Sequence, residues 1–191
     1  MFDRSARKPF FHLHRISRIR KYLTQSATRQ LVHAFVTAQL DYGNSLLAGL
    51  PAIRLDRLQR VQNAAARLII GSRKYDPISP HLKALHWLPV RQRIDYKIAM
   101  LTFQSLGGSA PKYLSDLITR YRPTRTLRSS QSLDLAIPPT RLKAYGDRSF
   151  SRMAPYVWNS LPLSVRRLTS PSDFRSALKT HLFRCAFNPS S

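Results

Sequence analysis

Apolar and polar residues alternate along most of this chain with the spacing of amphipathic helices. The pattern is clearest over residues 52–70, where apolar positions share one arc of a helical projection and polar positions share the other. Gly71 follows directly, as is common just beyond a helix. We predict a helix that buries the first arc and exposes the second. The apolar arc contains Leu55, Leu58, Val61, Ala65, Leu68 and Ile69, and the polar arc contains Asp56, Gln59, Arg60, Asn63 and Arg67.

Two shorter helical patterns come before this helix. The first has an apolar stripe with most of its basic residues off the stripe. The stripe consists of Leu13, Ile16, Ile19 and Leu23. The second pattern predicts a helix with Ser26 as its N-cap and an end near Leu40. Its apolar positions are Leu31, Ala34, Phe35 and Ala38.

Five helical patterns follow residue 71. They predict a short helix from Ser79-Pro80 through His86, a long one over 90–106 ended by Gly107-Gly108, a turn or two within 111–119, a helix near 149–160, and a last helix after Ser170. The last helix is expected to bury Phe174, Leu178, His181 or Leu182, and Cys185. Trp87 and Trp158, which stand among apolar neighbours, are expected to anchor the core.

The segment over 117–133 breaks the helical pattern. It contains no acidic residue, and its arginines alternate with prolines and hydroxyl residues, which favour loop or extended backbone. Residues 132–138 alternate enough to form one short strand. The predicted fold class is therefore mainly α: a helical bundle, followed by a helical tail with a basic irregular loop over 120–148 and at most a short strand.

Charge indicates the class of partner. The 32 Lys and Arg residues against nine acidic residues give a net charge of +23, and Arg outnumbers Lys by 24 to 8. Such a field favours polyanions, nucleic acid first, and guanidinium groups suit phosphate geometry. The alternative is a basic surface that serves only solubility in RNA-rich surroundings.

Other chemistries have little support in the sequence. Cys185 is the only cysteine, which excludes an intrachain disulfide and a Cys-rich zinc site within the chain, and the six histidines are interpreted as structural. No phosphate-binding glycine loop or nucleophile elbow occurs, so we expect neither a cofactor nor an independent enzyme. No apolar run of about 20 residues predicts a membrane span, and no secretory signal is present. We expect a nuclear or cytoplasmic location.

A succession of short motifs in the sequence resembles a known protein family. In order, they are LDYGNSLLAGLP, LDRLQRVQNAAARLIIG, SPHLKALHWLPVRQRIDYKI, APKYLSDLITRYRPTRTLRSS, GDRSFSRMAPYVWNSLP and FRSALKTHLF. Their order and spacing resemble the region just after the palm in the reverse transcriptases of non-LTR retrotransposons (LINE elements, jockey-like branch). The resemblance begins near Phe10, so it disfavours interpreting the Arg-rich N-terminus as a mitochondrial transit peptide. The Cys/His knuckle that ends several such polymerases is not found here.

The resemblance implies a catalytic palm that this sequence does not contain. Polymerases of that family hold two magnesium ions with palm carboxylates, which include an adjacent Asp pair, and two-metal chemistry needs converging carboxylates. All nine acidic residues of this chain are Asp, and no two are adjacent. By resemblance, fingers and palm would lie upstream of residue 1, and this chain would be the thumb and tail.

The resemblance divides the chain into a thumb-like helical segment over 10–70 and a post-thumb segment over 71–187. Thumb helices of such polymerases lie along the template–primer backbone, which implies phosphate contacts for Arg15, Arg18, Arg20 and Lys21. The basic loop gives a second candidate group, with an aromatic ring available for stacking on a base. This group consists of Arg120, Tyr121, Arg122, Arg125, Arg128, Arg141, Lys143 and Arg148.

Two structural alternatives stand beside these candidates. The first group could be an ordinary solvated helix face, and the second could be an arm whose arginines cap helices or pair with Asp116 and Asp134. The predicted function is noncatalytic binding of RNA or an RNA–DNA hybrid. The rival is a fold remnant or protein-interaction module, whose exposed apolar faces favour self-association or docking to a polymerase palm.

Overall fold

The computed structural model describes residues 3–121, 133–140 and 146–188, with side chains from Lys8 onward. The described chain is mainly helical, as predicted. Its helices are α1 (Asp3–Ile19), α2 (Gln25–Val32), α3 (Ala38–Asp41), α4 (Ala52–Ile70), α5 (Ile78–Ala84), α6 (Val90–Leu106), α7 (Lys112–Ser115), α8 (Phe150–Asn159), α9 (Leu163–Arg166) and α10 (Pro171–Phe187). A π-helix (His33–Thr37) joins α2 to α3, and 3-10 turns occupy Arg20–Tyr22 and Asn44–Leu47.

Over the same described ranges no β-strand forms. The position of the predicted short strand holds one isolated antiparallel bridge, between Arg120 and Leu135. None of the helices described here is long and apolar enough to cross a membrane.

The chain forms two compact units that meet between Arg93 and Ile94, inside α6. The N-terminal unit runs up to Arg93 and includes the end of the chain from Ala186, and the C-terminal unit comprises the residues between. The predicted boundary after residue 70 separates a thumb-like from a post-thumb segment, and it stays a prediction.

The core of the N-terminal unit is formed by apolar faces of α1, α2 with the π-helix, and α4. It consists of Leu13, Ile16, Val32, Val36, Val61, Ala65 and Ile69. The bounds of α4 agree with the prediction, because Gly71 adopts a left-handed conformation (φ 79°) and donates its N–H to the Arg67 carbonyl at 2.7 Å. Trp87 packs against this core as a partly buried side chain, as predicted.

The prediction for α2 was wrong in its cap and in its buried face. Thr24, rather than Ser26, is the N-cap, and its side chain accepts a hydrogen bond from the Ala27 N–H at 3.2 Å. Ala34, Phe35 and Ala38 are exposed. The π-helix causes part of this difference, because its i→i+5 hydrogen bonds shift the residues that follow away from a 3.6-residue spacing. The buried residues of this stretch are Thr28, Val32, Val36 and Thr37.

The predicted exposure of the polar arc of α4 is only partly correct, because Gln59, Asn63 and Arg67 are half-buried. Gln62 is fully buried and donates from Nε2 to the Leu88 carbonyl at 2.8 Å. Gln59 donates to Gln62 Oε1 at 2.9 Å, and its own Oε1 accepts from the Val90 N–H at 2.8 Å. These amides satisfy the backbone where α6 begins, so they hold the connection between α5 and α6 against α4.

Aromatic stacking organises the core of the C-terminal unit. Phe174 of α10 is completely buried, and its ring stacks on Phe103 of α6 at 4.2 Å and on Trp158 of α8 at 5.8 Å between centroids. The predicted burial of Trp158, Phe174, Leu178 and Leu182 is confirmed. The predicted burial of Cys185 was wrong: its thiol is exposed, because the buried face of α10 ends at Leu182.

Candidate nucleic-acid interface

α1 presents a basic face to solvent on the side opposite its buried residues. Pro9, Leu13 and Ile16 turn inward. The exposed side chains recur at i, i+3, i+7 and i+10, which places them on one side of the helix. They are Lys8, Phe11, Arg15 and Arg18, and Lys21 follows as an exposed residue of the next turn. We call Lys8, Arg15, Arg18 and Lys21 the α1 basic face.

After Asp3, the first residue of α1, no acidic residue occurs in the sequence around this face. The sequence contains no Asp or Glu between Asp3 and Asp41. Asp41 itself pairs with Arg93, whose Nε donates to Oδ1 at 2.8 Å while Nη2 donates to Oδ2. The stretch from residue 4 to residue 40 therefore carries basic side chains and no acidic ones, which favours a positive local field.

Arg20, which belongs to the same predicted group, has a different role. Its guanidinium donates to the Leu68 carbonyl at 3.0 Å, to the Ile69 carbonyl at 3.4 Å and to the Leu23 carbonyl at 2.9 Å. Carbonyl groups in the last turn of a helix have no intrahelical partner, so Arg20 caps the C-terminal end of α4. We therefore leave Arg20 out of the candidate surface.

Exposed aromatic rings accompany the α1 basic face. Phe11 is 58% exposed, and the Arg15 guanidinium lies over its ring, with Cζ 5.7 Å from the centroid. The Phe11 ring meets the edge of His12 at 5.7 Å, and His12 stacks on Phe35 of the π-helix at 5.4 Å. Further along, Lys21 Nζ lies 4.8 Å from the ring centroid of the exposed Tyr22. We call Phe11, His12 and Phe35 the aromatic cluster.

Lys8, Phe11 and Phe35 were not among the predicted site residues. Lys8 could have been found, because it stands seven residues before Arg15 and so falls on the same helix face. Phe11 was not singled out from the sequence, and Phe35 was expected among the apolar positions of its helix.

The second predicted group belongs to the C-terminal unit, and only part of it can be described. Arg120 and Tyr121 are exposed at the isolated bridge, where the Tyr121 N–H donates to the Asp134 carbonyl at 2.9 Å. Arg148 is half-buried. The predicted contacts of Arg122, Arg125, Arg128, Arg141 and Lys143 lie outside the described residues.

Other arginines of the C-terminal unit serve its structure. Arg166 donates to Asp134 Oδ1. Arg152 lies 3.1 Å from Asp147 Oδ1 and donates to the Pro138 carbonyl at 3.1 Å. Together with the Asn159 side chain, whose amide exchanges two 2.9 Å hydrogen bonds with the backbone of Leu135, they fasten residues 134–138. Asp134 thus has an arginine partner, as the structural alternative supposed, but that partner comes from α9.

An exposed apolar patch occupies another part of the N-terminal unit. Tyr42 is 91% exposed, and Leu46 and Ile53 are also exposed. Tyr42 also lines a cavity of about 500 Å³ that has mainly apolar walls and one cation, Lys8 of the α1 basic face. The cavity is lined by Lys8, Ala38, Gln39, Leu40, Tyr42, Gly43, Leu47 and Leu58.

A histidine and a cysteine of α10 lie close together. Cys185 Sγ lies 3.6 Å from His181 Nε2. Burial, and after it the nearby Arg184 guanidinium, lower the pKa of His181 below its ordinary 6.5. In the parts of the chain described here, no three His, Cys, Asp or Glu side chains come together as a metal site would require.

No protein-family model, curated protein or solved structure matches this chain. Support for a function therefore comes from its charge, its exposed rings and its motif order.

Proposed function

We propose that this chain binds RNA or an RNA–DNA hybrid without catalysing a reaction on it, as the thumb and post-thumb part of a non-LTR retrotransposon reverse transcriptase. The motif order supports that origin. The net charge of +23 supports a polyanionic partner. The catalytic Asp pair that the resemblance requires does not occur in the sequence, so the proposed activity is binding alone.

One observation carries the proposal: the α1 basic face is exposed, and no acidic residue occurs between Asp3 and Asp41. A helix with cations at i, i+7 and i+10 presents them along a line of about 15 Å, given a rise of 1.5 Å per residue. That length matches a few successive phosphates of a nucleic-acid strand. The partner is therefore expected to lie along α1 and to be recognised through its backbone, with little preference for sequence.

The second group, around Arg120, is proposed as a separate nucleic-acid contact that belongs to the C-terminal unit. Arg120 and Tyr121 are both exposed, which suits a phosphate contact next to a stacking ring. Replacing Arg120, Arg122, Arg125 and Arg128 together by Ser should lower RNA affinity and leave the helical content unchanged. Unaltered affinity would show that these four arginines do not contact RNA, and would favour a structural role for them.

The decisive experiment measures binding of the whole chain to an RNA–DNA hybrid, to single-stranded RNA and to duplex DNA across a salt series. Each phosphate neutralised on a duplex adds about 0.9 to the slope of log affinity against log salt, so we expect a slope of roughly −5 or steeper if both groups bind. Preference for RNA or the hybrid supports the proposal. Weak binding to all three, abolished equally by heparin, would show generic attraction between opposite charges.

A second candidate function, protein docking, is favoured by the apolar patch at Tyr42, Leu46 and Ile53. Exposed apolar residues beside an apolar cavity are typical of protein-binding surfaces. On this reading the chain self-associates or docks to a polymerase palm. Sedimentation velocity of the wild type and of a Leu46→Ser/Ile53→Ser variant separates the two functions. Association that the variant abolishes, without salt-sensitive RNA binding, would favour docking.

A further inference from the structure

Two rings of the aromatic cluster, Phe11 and Phe35, are exposed to solvent and are not part of the core. Phe11 and Phe35 are 58% and 45% exposed, although each belongs to a helical segment with a well-packed apolar side. The packing of α1 on its neighbours is already provided by Leu13 and Ile16, which are buried. These two rings are therefore not needed to fill the core, and their exposure requires another explanation.

The geometry of the cluster suits a flat, unsaturated ligand. His12 and Phe35 lie nearly parallel, with an interplanar angle of 26°. Phe11 stands at 72° to His12, so the cluster presents ring surfaces in two directions. The π-helix, which moves Phe35 out of the buried stripe, brings it beside α1, and short π-helices recur at functional sites.

The charge around the cluster indicates what kind of flat ligand binds. Arg15 lies over the Phe11 ring, and Lys8 is one helical turn away from Phe11 on the same face. Stacking rings beside cations are the arrangement by which proteins hold bases and phosphates of a single strand together. In a duplex the base faces are stacked on one another, so only unpaired bases offer a face to such rings.

We infer that the aromatic cluster stacks unpaired bases of a single-stranded nucleic acid, while Lys8 and Arg15 contact the adjoining phosphates. This inference rests on the proposed function and deepens it, because it assigns an unpaired strand to this part of α1. Stacking uses the base and not the sugar, so both RNA and DNA single strands fit the cluster.

The test compares two oligonucleotides with equal numbers of phosphates. One is a short unstructured single-stranded RNA, and the other is its abasic counterpart, which keeps the backbone and lacks the bases. Fluorescence anisotropy with the intact chain should show about tenfold tighter binding of the base-bearing strand, the contribution of roughly one stacked base. Single-stranded DNA and its abasic counterpart, run in parallel, tell whether the effect extends to both polymers.

Variants then locate the effect. Phe11→Leu/Phe35→Leu should remove the preference for base-bearing over abasic strands, since it keeps every cation and removes only the rings. Tyr75→Leu is the matched control, because Tyr75 is an exposed ring with Lys74 Nζ 5.4 Å from its centroid, outside the cluster. This variant should keep the preference. Circular dichroism checks that each variant retains its helices.

The outcomes separate the inference from the proposed function. Equal, salt-sensitive binding of base-bearing and abasic strands by the wild type would overturn the stacking role and leave phosphate binding intact. A preference for bases that Tyr75→Leu removes, or that the double variant keeps, would overturn the assignment to this cluster. Binding of neither strand would overturn both.

Discussion

Two arginines of the N-terminal unit, Arg15 and Arg18, differ in environment from two arginines of the C-terminal unit, Arg152 and Arg166. Arg15 and Arg18 are exposed on α1, whose only acidic residue is Asp3 at its start. In the C-terminal unit the Arg166 side chain is only 9% exposed and pairs with Asp134, and Arg152 pairs with Asp147. The same side chain is thus available to a partner in one unit and fastens a loop in the other. The difference follows from where the few Asp residues and the unpaired backbone carbonyls lie.

The same contrast between an exposed and a structural arginine occurs within three residues of the N-terminal unit. Arg18 and Arg20 are two residues apart, but Arg18 is exposed and Arg20 donates to three carbonyls. Net charge alone therefore overstates the charge that is available to nucleic acid.

Replacing Arg15, Arg18 and Lys21 together by Ser should weaken RNA binding about 100-fold, roughly 1 kcal/mol for each lost charged contact. On single-stranded RNA the salt slope should become shallower by about 2. The free energy of unfolding should change by less than about 0.5 kcal/mol, because these side chains are exposed. A matched triple variant, Arg60→Ser/Arg73→Ser/Arg91→Ser, removes the same charge from other exposed positions. Equal weakening by both variants would contradict a defined α1 basic face.

Replacing Arg166 by Ala should lower the free energy of unfolding by about 2 kcal/mol, because Asp134 loses a charged partner in a half-buried setting. Urea denaturation followed by circular dichroism measures this. RNA affinity of the folded variant should stay within about twofold of the wild type. The Arg166→Ala/Asp134→Ala double variant should recover part of the loss, and strictly additive losses would show that the two side chains are not coupled.

Replacing Arg20 by Ala should cost about 1 kcal/mol of stability, since it leaves carbonyls at the end of α4 without a donor. Arg18→Ala is its control, and it should weaken RNA binding without loss of stability. Thermal denaturation and anisotropy of both variants give the comparison. Reversed results for the two arginines would mean that Arg20, and not Arg18, contacts nucleic acid.

The smallest effect concerns pH. The pKa of His181 is lowered in the folded chain, so the unfolded chain binds the proton more readily. The contribution of His181 to stability is therefore complete above pH 6.5 and declines as the pH falls from there toward the folded pKa. Urea denaturation at several pH values should show this decline in the wild type and a weaker one in His181→Gln. Identical pH profiles would exclude His181 as the cause.

Periodicity predicted the helices best where local signals agreed. Residues 52–70 combine an apolar arc with a following glycine, and α4 has those bounds. Arg20 could not be assigned in this way, because its partners Leu68 and Ile69 are distant in sequence and meet it only after folding. The burial of Gln62 could not be predicted for the same reason, because its acceptor, the Leu88 carbonyl, is distant in sequence.

The candidate site was predicted only in part for a related reason. Arg15 and Arg18 were found because helical spacing placed them off the apolar stripe. Phe35 was missed because that spacing assumes 3.6 residues per turn, an assumption that fails at the π-helix.

The π-helix changes the direction in which the residues after it point around the helix axis. It contains one residue more than an α-helix needs, so the halves before and after it are offset by one residue, about 100° of rotation. Beyond this offset lies α3, whose last residue, Asp41, pairs with Arg93. Deleting one residue from His33–Thr37 would restore regular winding and rotate α3 as a block. The Asp41–Arg93 pair would then break although neither residue had been changed.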